Sequence, residues 1–421
     1  MLIQVHILQN YAPSNLNRDD NNRPKSAWFG GVERGRVSSQ SLKRAIRFAP
    51  LWRNAFDGLL AERTNQLPTI MREELASITD DTNAIDAIVA RVREIGKKDA
   101  KDEEPSENAA KTDDTTPQAD QTTEAPKSAR SGKGKKKPAE DEDAGDGETG
   151  QLILIAPNER RRLAEKLFAL YQQAGPDGWK SVKINEKVDA KELGIKPYSP
   201  DVALFGRMTT STAFVDIPAA AQIAHAISTN EMQVEADYFT GLDDRTNIAR
   251  IIGDTEFNSG TYYKFVNVFW DGLVNNLAQG EKANASEIEV ARRAVLKLTE
   301  GIINVHPTGK LNPFANYQSP DFVLVEVREQ NLPLSYANSF LKPVRYSEEM
   351  GLMEKSATQL ADYIRRMDEM YGFSDKRAYA TSLDGCIVPR AEHQTHKEED
   401  GKFTSAIDNL LAWLDKQLPW E

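Results

Sequence analysis

The chain has 421 residues, 39% of them hydrophobic and 8% aromatic, and a formal net charge of -11. This is enough apolar mass for a substantial core, with room for two or three domains or one elaborated domain. No apolar run is long enough to cross a membrane, no signal-peptide layout opens the chain, and a single cysteine, Cys386, excludes an intrachain disulfide and a cysteine-based zinc site, so a cytoplasmic protein without membrane contact is expected.

Ile3, Val5 and Ile7 alternate with Gln4 and His6, the period of a half-buried strand. A long polar loop is expected from Asn10 to about Val37. Ser38 or Ser39 then offers an N-cap and Pro50 a stop, which predicts a helix between them. Gln40, Lys43, Arg44 and Arg47 fall at i, i+3, i+4 and i+7 on one face of it. Leu42, Ala45, Ile46 and Ala49 repeat the spacing on the opposite face, which suits packing on a sheet. From Met1 to Arg53 nine Lys or Arg stand against three acids, a local charge of +6 (9-3) in an acidic chain. Charge alone fits a solvated face equally well. A Gly- and Arg-rich loop running into a helix N-terminus with free N–H groups favours phosphate. Lys43, so early in the helix, opposes the macrodipole unless an anion is present.

Trp52 to Val92 reads as helices interrupted at Pro68. Gly96 to Gly150 holds no large apolar residue, with ten basic and fifteen acidic ones, and is expected to stay disordered. Its cluster from Lys127 to Lys137 reads as part of a solubilising insert rather than a nucleic-acid contact. Helix is predicted for Ala156–Ala174, strand for Val202–Met208, and a close-packing helix for Ala219–Ser228. Thr261–Trp270 and Phe322–Val327 read as strands. Ile288–Gly301, Glu348–Met370 and Thr404–Leu418 read as helices. Strand–helix units this far apart suggest an α+β fold: a ferredoxin-like or RRM-like sheet with large insertions.

The motifs for catalysis are thin. Asp19 and Asp20 are adjacent carboxylates, but neighbours rarely converge on one ion and no third acid lies nearby, so pairing with Arg18 and Arg23 is the better reading. His393 and His396 read as a solvated tail, and His225 as a core histidine in an alanine-rich helix. No Walker motif, dinucleotide fingerprint or nucleophile elbow is present. A non-enzyme without metal or cofactor is expected. Tyr238 and Phe239 suit either base stacking or pinning a hairpin to the core, and alone they favour the core. Met208 follows Arg207 at a strand end, where a Met can wedge against a base.

The runs Ser14-Asn15-Leu16-Asn17-Arg18-Asp19-Asp20, Phe29-Gly30-Gly31 and Arg36-Val37-Ser38-Ser39-Gln40-Ser41-Leu42-Lys43-Arg44-Ala45 strongly resemble the CasC family, the backbone subunit of the type I-E CRISPR Cascade complex. Further blocks fit in order: Gly206-Arg207-Met208, Ile223 to Ile227, Asp237 to Asp244, Thr255 to Gly260 and Pro333 to Phe340. The resemblance implies an RRM-like palm (residues 1–51 and 201–421), helical fingers (52–200, containing the insert 96–150) and a thumb β-hairpin near 238–258. It implies that Arg18, Lys25, Ser38, Gln40, Lys43 and Arg47 hold the guide backbone, that Met208 presses on bases, and that Phe239, Thr240 and Ile252 belong to the thumb. Tyr238 stands where another aromatic is expected. The implied partners are CRISPR RNA, further copies of the chain, other Cascade subunits and, through the guide, target DNA. A metal-dependent ribonuclease using Asp19 or Asp20, and a general single-stranded RNA-binding protein, are the rival readings.

Overall fold

The computed structural model describes residues 1–95, 152–188, 199–209, 213–246, 249–399 and 402–420. The insert at 96–150 lies outside the described residues. In chain order the elements are β1 (Leu2–Ser14), β2 (Ser26–Phe29), β3 (Val32–Val37), α1 (Ser39–Phe48), α2 (Pro50–Ala55), β4 (Glu62–Thr64), α3 (Leu67–Ala76), α4 (Thr82–Val92), β5 (Ile153–Ile155), α5 (Pro157–Gly178), α6 (Ile184–Lys187) and α7 (Pro200–Phe205). There follow β6 (Ala221–Ile223), β7 (Ala226–Ser228), β8 (Glu235–Leu242), β9 (Ala249–Phe269), α8 (Trp270–Ala278), α9 (Ala285–Asn304), α10 (Leu311–Phe314) and β10 (Phe322–Arg328). The chain closes with α11 (Leu352–Tyr371), β11 (Lys376–Thr381), β12 (Glu392–His393), β13 (Lys397–Glu399), β14 (Lys402–Thr404) and α12 (Ala406–Gln417).

A mixed sheet of ten strands organises this α+β fold. Its main path runs β12-β11-β10-β1-β9-β7-β3-β2, with β6 and β8 also paired to β9. Every pairing is antiparallel except β11 with β12. β1 is central and buried on both faces, rather than half-buried as its alternation predicts. Ile3, Val5 and Ile7 point into the larger apolar cluster with Leu42, Ile46, Val295 and Leu298. Gln4 and His6 are equally buried because the other face is covered too, and each finds polar partners: Gln4 donates to Asn267 Oδ1 (3.2 Å), and His6 meets the Tyr263 hydroxyl (2.8 Å) and Glu326 (3.1 Å).

A separate apolar cluster joins α3, α4 and α5 through Leu67, Met71, Ile88, Leu163 and Leu167, and takes in Ile153 and Ile155 of β5. Pro68 does not interrupt this region. It lies in the first turn of α3, where its missing N–H leaves nothing unsatisfied, and the break falls later, where Asp81 caps α4.

Three predicted segments take other forms. Val202–Met208 is not a strand: Pro200 and Asp201 open the helix α7, and Gly206 ends it. Ala219–Ser228 is not a helix; its small side chains let β6 and β7 lie against β9, with Ala221, Ile223 and Ala226 in the core that contains Leu42 and Ile46. The polar loop after Asn10 also contains a hairpin, β2–β3. Its turn residues Gly30 and Gly31 both have positive φ, as a tight two-residue connection requires. A Cβ on Gly30 would lie 1.7 Å from the carbonyl oxygen of Leu341, so this turn seats directly against the Leu341 backbone.

Candidate nucleic-acid interface

The interface starts at the N-terminus of α1. Ser38 is its cap: the hydroxyl accepts from the Ser41 N–H (3.3 Å), and the residue is buried. Ser38 thus serves the helix as its cap. Its own N–H donates to Asn17 Oδ1 (3.0 Å), which fastens the preceding loop to the helix. The Lys25 N–H donates to the Asn17 carbonyl (2.8 Å), and the Arg36 N–H to the Lys25 carbonyl (2.8 Å). These bonds bring Lys25 and Arg36 beside the first turn.

The helix face divides. Gln40 is exposed. Lys43 is half-buried, its ammonium 5.7 Å from the centre of the Phe205 ring, and burial lowers its pKa. Arg44 and Arg53 flank the exposed Phe48 ring at 4.8 and 4.7 Å. Arg47, expected beside Lys43 on a phosphate-facing surface, turns inward instead. Its Nε and Nη2 donate to Asp201 Oδ2 at 3.0 and 2.7 Å, and Nη2 also reaches the Ala61 carbonyl. Asp201 is buried and additionally accepts from the Ala61 N–H (3.0 Å) and the Ser199 hydroxyl. Arg47 is therefore part of the internal framework. The same holds for Arg34, fully buried and donating to carbonyls of Ser228, Thr229 and Phe340.

Arg18 is exposed on the loop and donates to Asn22 Oδ1 (3.3 Å). Asp19 Oδ1 accepts from the N–H groups of Asn21 (2.8 Å) and Arg23 (2.9 Å), so it shapes the turn; Asp20 is exposed. Arg23 pairs with Glu256 (3.1 Å), and Asn15 donates to the Glu256 carbonyl (2.9 Å). The loop is thereby latched to the base of the β8–β9 hairpin.

That hairpin presents its side chains to solvent. Tyr238, Phe239 and Ile252 are 66%, 46% and 65% exposed, which overturns the expectation that the aromatics pin the hairpin to the core. Register separates them by face. Thr240 lies opposite Ile252, with Tyr238 on the same face. Phe239 lies opposite Gly253 on the other face. Its ring covers Gly253 so closely that a Cβ there would meet it at 2.7 Å.

Met208 is 93% exposed. It stands on a clamp: the buried Arg207 guanidinium donates to both oxygens of Glu159 (2.7 and 2.8 Å) and to the carbonyls of Leu154 and Val215. His225 and Arg36, outside the predicted set of site residues, join the cluster. His225 is exposed in the link between β6 and β7, not inside a helix, and its ring accepts from the Ser39 N–H (3.2 Å). The alternation of Ala221, Gln222 and Ile223 carried the signal for strand here.

These features define a mixed-sheet α+β protein with a helical insertion, a projecting hairpin and a cationic helix start. The chain belongs to a family described as CT1975-like protein, which matches residues 3–413. Two solved structures are similar over their whole length. One is a chain of a "CRISPR RNA-guided surveillance complex, pre-nicking", with 23% identity, a TM-score of 0.72 and complete coverage of both chains. The other is a chain of a "CRISPR RNA-guided surveillance complex", with 22% identity, a TM-score of 0.64, and coverage of 98% of this chain and 100% of that one. At these identities the likeness establishes the fold. No curated protein matches the chain. Among the described residues, no helix is long and apolar enough to cross a membrane and no group of three or more His, Cys, Asp or Glu is placed to hold a metal ion.

Proposed function

We propose that the chain is a non-catalytic CRISPR RNA-binding backbone subunit of a Cascade-type surveillance complex, of the CasC kind that serves type I-E systems. The observation that carries this reading is the gathering of Arg18, Lys25, Gln40 and Lys43 around the loop and first turn of α1, latched to a hairpin with exposed Tyr238, Thr240 and Ile252. The fold shared with chains of CRISPR RNA-guided surveillance complexes supports it. In this reading residues 1–51 and 201–421 form an RRM-like palm, 52–200 the fingers and about 238–258 the thumb, with Phe239 on one thumb face and Thr240 and Ile252 on the other. Met208 presses on bases from the finger side.

A subunit that carries any guide has to hold phosphates and sugars and leave base edges free for target DNA. Lysine and arginine contacts with apolar wedges do this without reading sequence. Copies lined along one RNA use a heterologous interface that propagates until the RNA ends.

Co-expression with a CRISPR RNA and partner subunits, followed by native mass measurement, tests the reading. Several copies on one guide, with number set by RNA length, are expected; a monomer free of RNA overturns it. Lys43→Ala is expected to weaken guide binding uniformly across sequences and to lower the salt slope by about 0.7. Magnesium-dependent RNA cleavage lost in Asp20→Asn would instead establish the ribonuclease reading.

A further inference from the structure

The His225 ring lies beside the first turn of α1 with its Nδ1 facing two groups that only donate: the Ser39 backbone N–H at 3.2 Å and Arg36 Nη1 at 3.4 Å. Neither can accept, so Nδ1 carries the lone pair and the ring proton resides on Nε2. The ring is exposed, and no described residue meets Nε2–H. Partial desolvation lowers the His225 pKa, and the charges of Arg36 and Lys25 lower it further, so a neutral donor sits near two cations. Arg36 is itself aimed by its Nε, which donates to the Ser26 carbonyl (3.1 Å). Two cations and an N–H donor drawn together, with no carboxylate partner among the described residues, are electrostatically costly until an anion arrives.

We propose that Lys25, Arg36 and His225 form a phosphate subsite at the start of α1. Ser39 and Lys43 are four residues apart, roughly 6 Å along the helix, so this subsite and Lys43 take neighbouring phosphates of one strand. The proposal rests on the guide-binding reading above and assigns His225 and Arg36 to it.

The test uses the full chain with a labelled single-stranded RNA of mixed sequence, measured at several salt concentrations. His225→Asn keeps an acceptor near Nδ1 for the Ser39 N–H but loses the donor at Nε2; binding about tenfold weaker is expected with an unchanged melting temperature. His225→Gln places an amide N–H near the Nε2 position and is expected to recover binding to within about threefold of the parent. Arg36→Gln is expected to lower the salt slope by about 0.7. Parent-like affinity in His225→Asn, or equal losses in the Asn and Gln variants, overturns the subsite. If Lys43→Ala also leaves binding unchanged, the guide-binding reading has failed; if Lys43→Ala weakens binding, only the subsite has.

Discussion

Arg47 lies one turn beyond Lys43, yet the two side chains face different surroundings. Lys43 ends beside Phe205, and no carboxylate among the described residues pairs with it, whereas Arg47 neutralises Asp201, a carboxylate that is 1% exposed. Removing Arg47 leaves that charge buried and uncompensated. Arg47→Ala is therefore expected to cost about 3–5 kcal/mol of stability, read as a large drop in melting temperature, while the salt slope of RNA binding in the folded fraction stays unchanged. A stable Arg47→Ala protein with a reduced slope would restore the residue to the interface. Lys264 presents the opposite case. Buried among Tyr11 and the end of α9, where its ammonium donates to the Ile302 carbonyl at 3.4 Å, it has its pKa pushed down by burial from 10.5 to about 7. Between those values the unfolded chain binds a proton that the fold does not, so stability rises as pH climbs from about 7 toward 10.5. Lys264→Met removes the penalty: a gain of a few kcal/mol is expected at pH 7, shrinking toward pH 10.5. Denaturant midpoints at both pH values check this, and a variant equally or less stable at pH 7 contradicts it.

At the level of elements, α1 was the most legible part of the chain because its signals agree. Ser38 caps it, Leu42 and Ile46 bury one side, and Ala49–Pro50 ends it. Where local signals conflict with packing, packing prevails: an alanine-rich run becomes β6 and β7, paired to β9, with Ala221, Ile223 and Ala226 in the core that holds Leu42 and Ile46. What no pattern could disclose was which cations are internally paired. Arg34 and Arg47 meet partners more than 150 positions away in sequence. The exposure of the hairpin was equally hidden, since alternating Tyr238, Thr240 and Ile252 read the same on a buried or a solvent-facing ribbon. The hairpin's local stability rests on Phe239 lying over Gly253, an aromatic side chain covering a glycine across the strands. Gly253→Ala forces the ring aside. Faster proteolysis between residues 235 and 257 is expected, with little change in the global melting temperature. Parent-like cleavage would show that the ring has room to shift.

For the whole molecule, the segment at 96–150 sets a charge problem. It contributes fifteen acids against ten bases, and without it the chain holds 43 basic and 49 acidic residues (53-10 and 64-15). The segment therefore adds negative charge to a chain that also carries a cationic helix start. The residues on either side are anchored in one place: Val92 and Ile95 share an apolar cluster with Ile153 and Ile155, and β5 pairs with β4. Joining such fixed ends by a shorter chain lowers the entropy cost of closure. Replacing residues 97–149 with about ten Gly and Ser residues is expected to raise stability by about 1.5 kcal/mol by that loop-length scaling. It also removes a net charge of -5 (10-15), so RNA affinity should rise at low salt and converge with the parent at high salt, where screening erases a long-range effect. Binding that weakens at every salt concentration would mean that the basic run from Lys127 to Lys137 touches nucleic acid directly, which its composition alone does not favour.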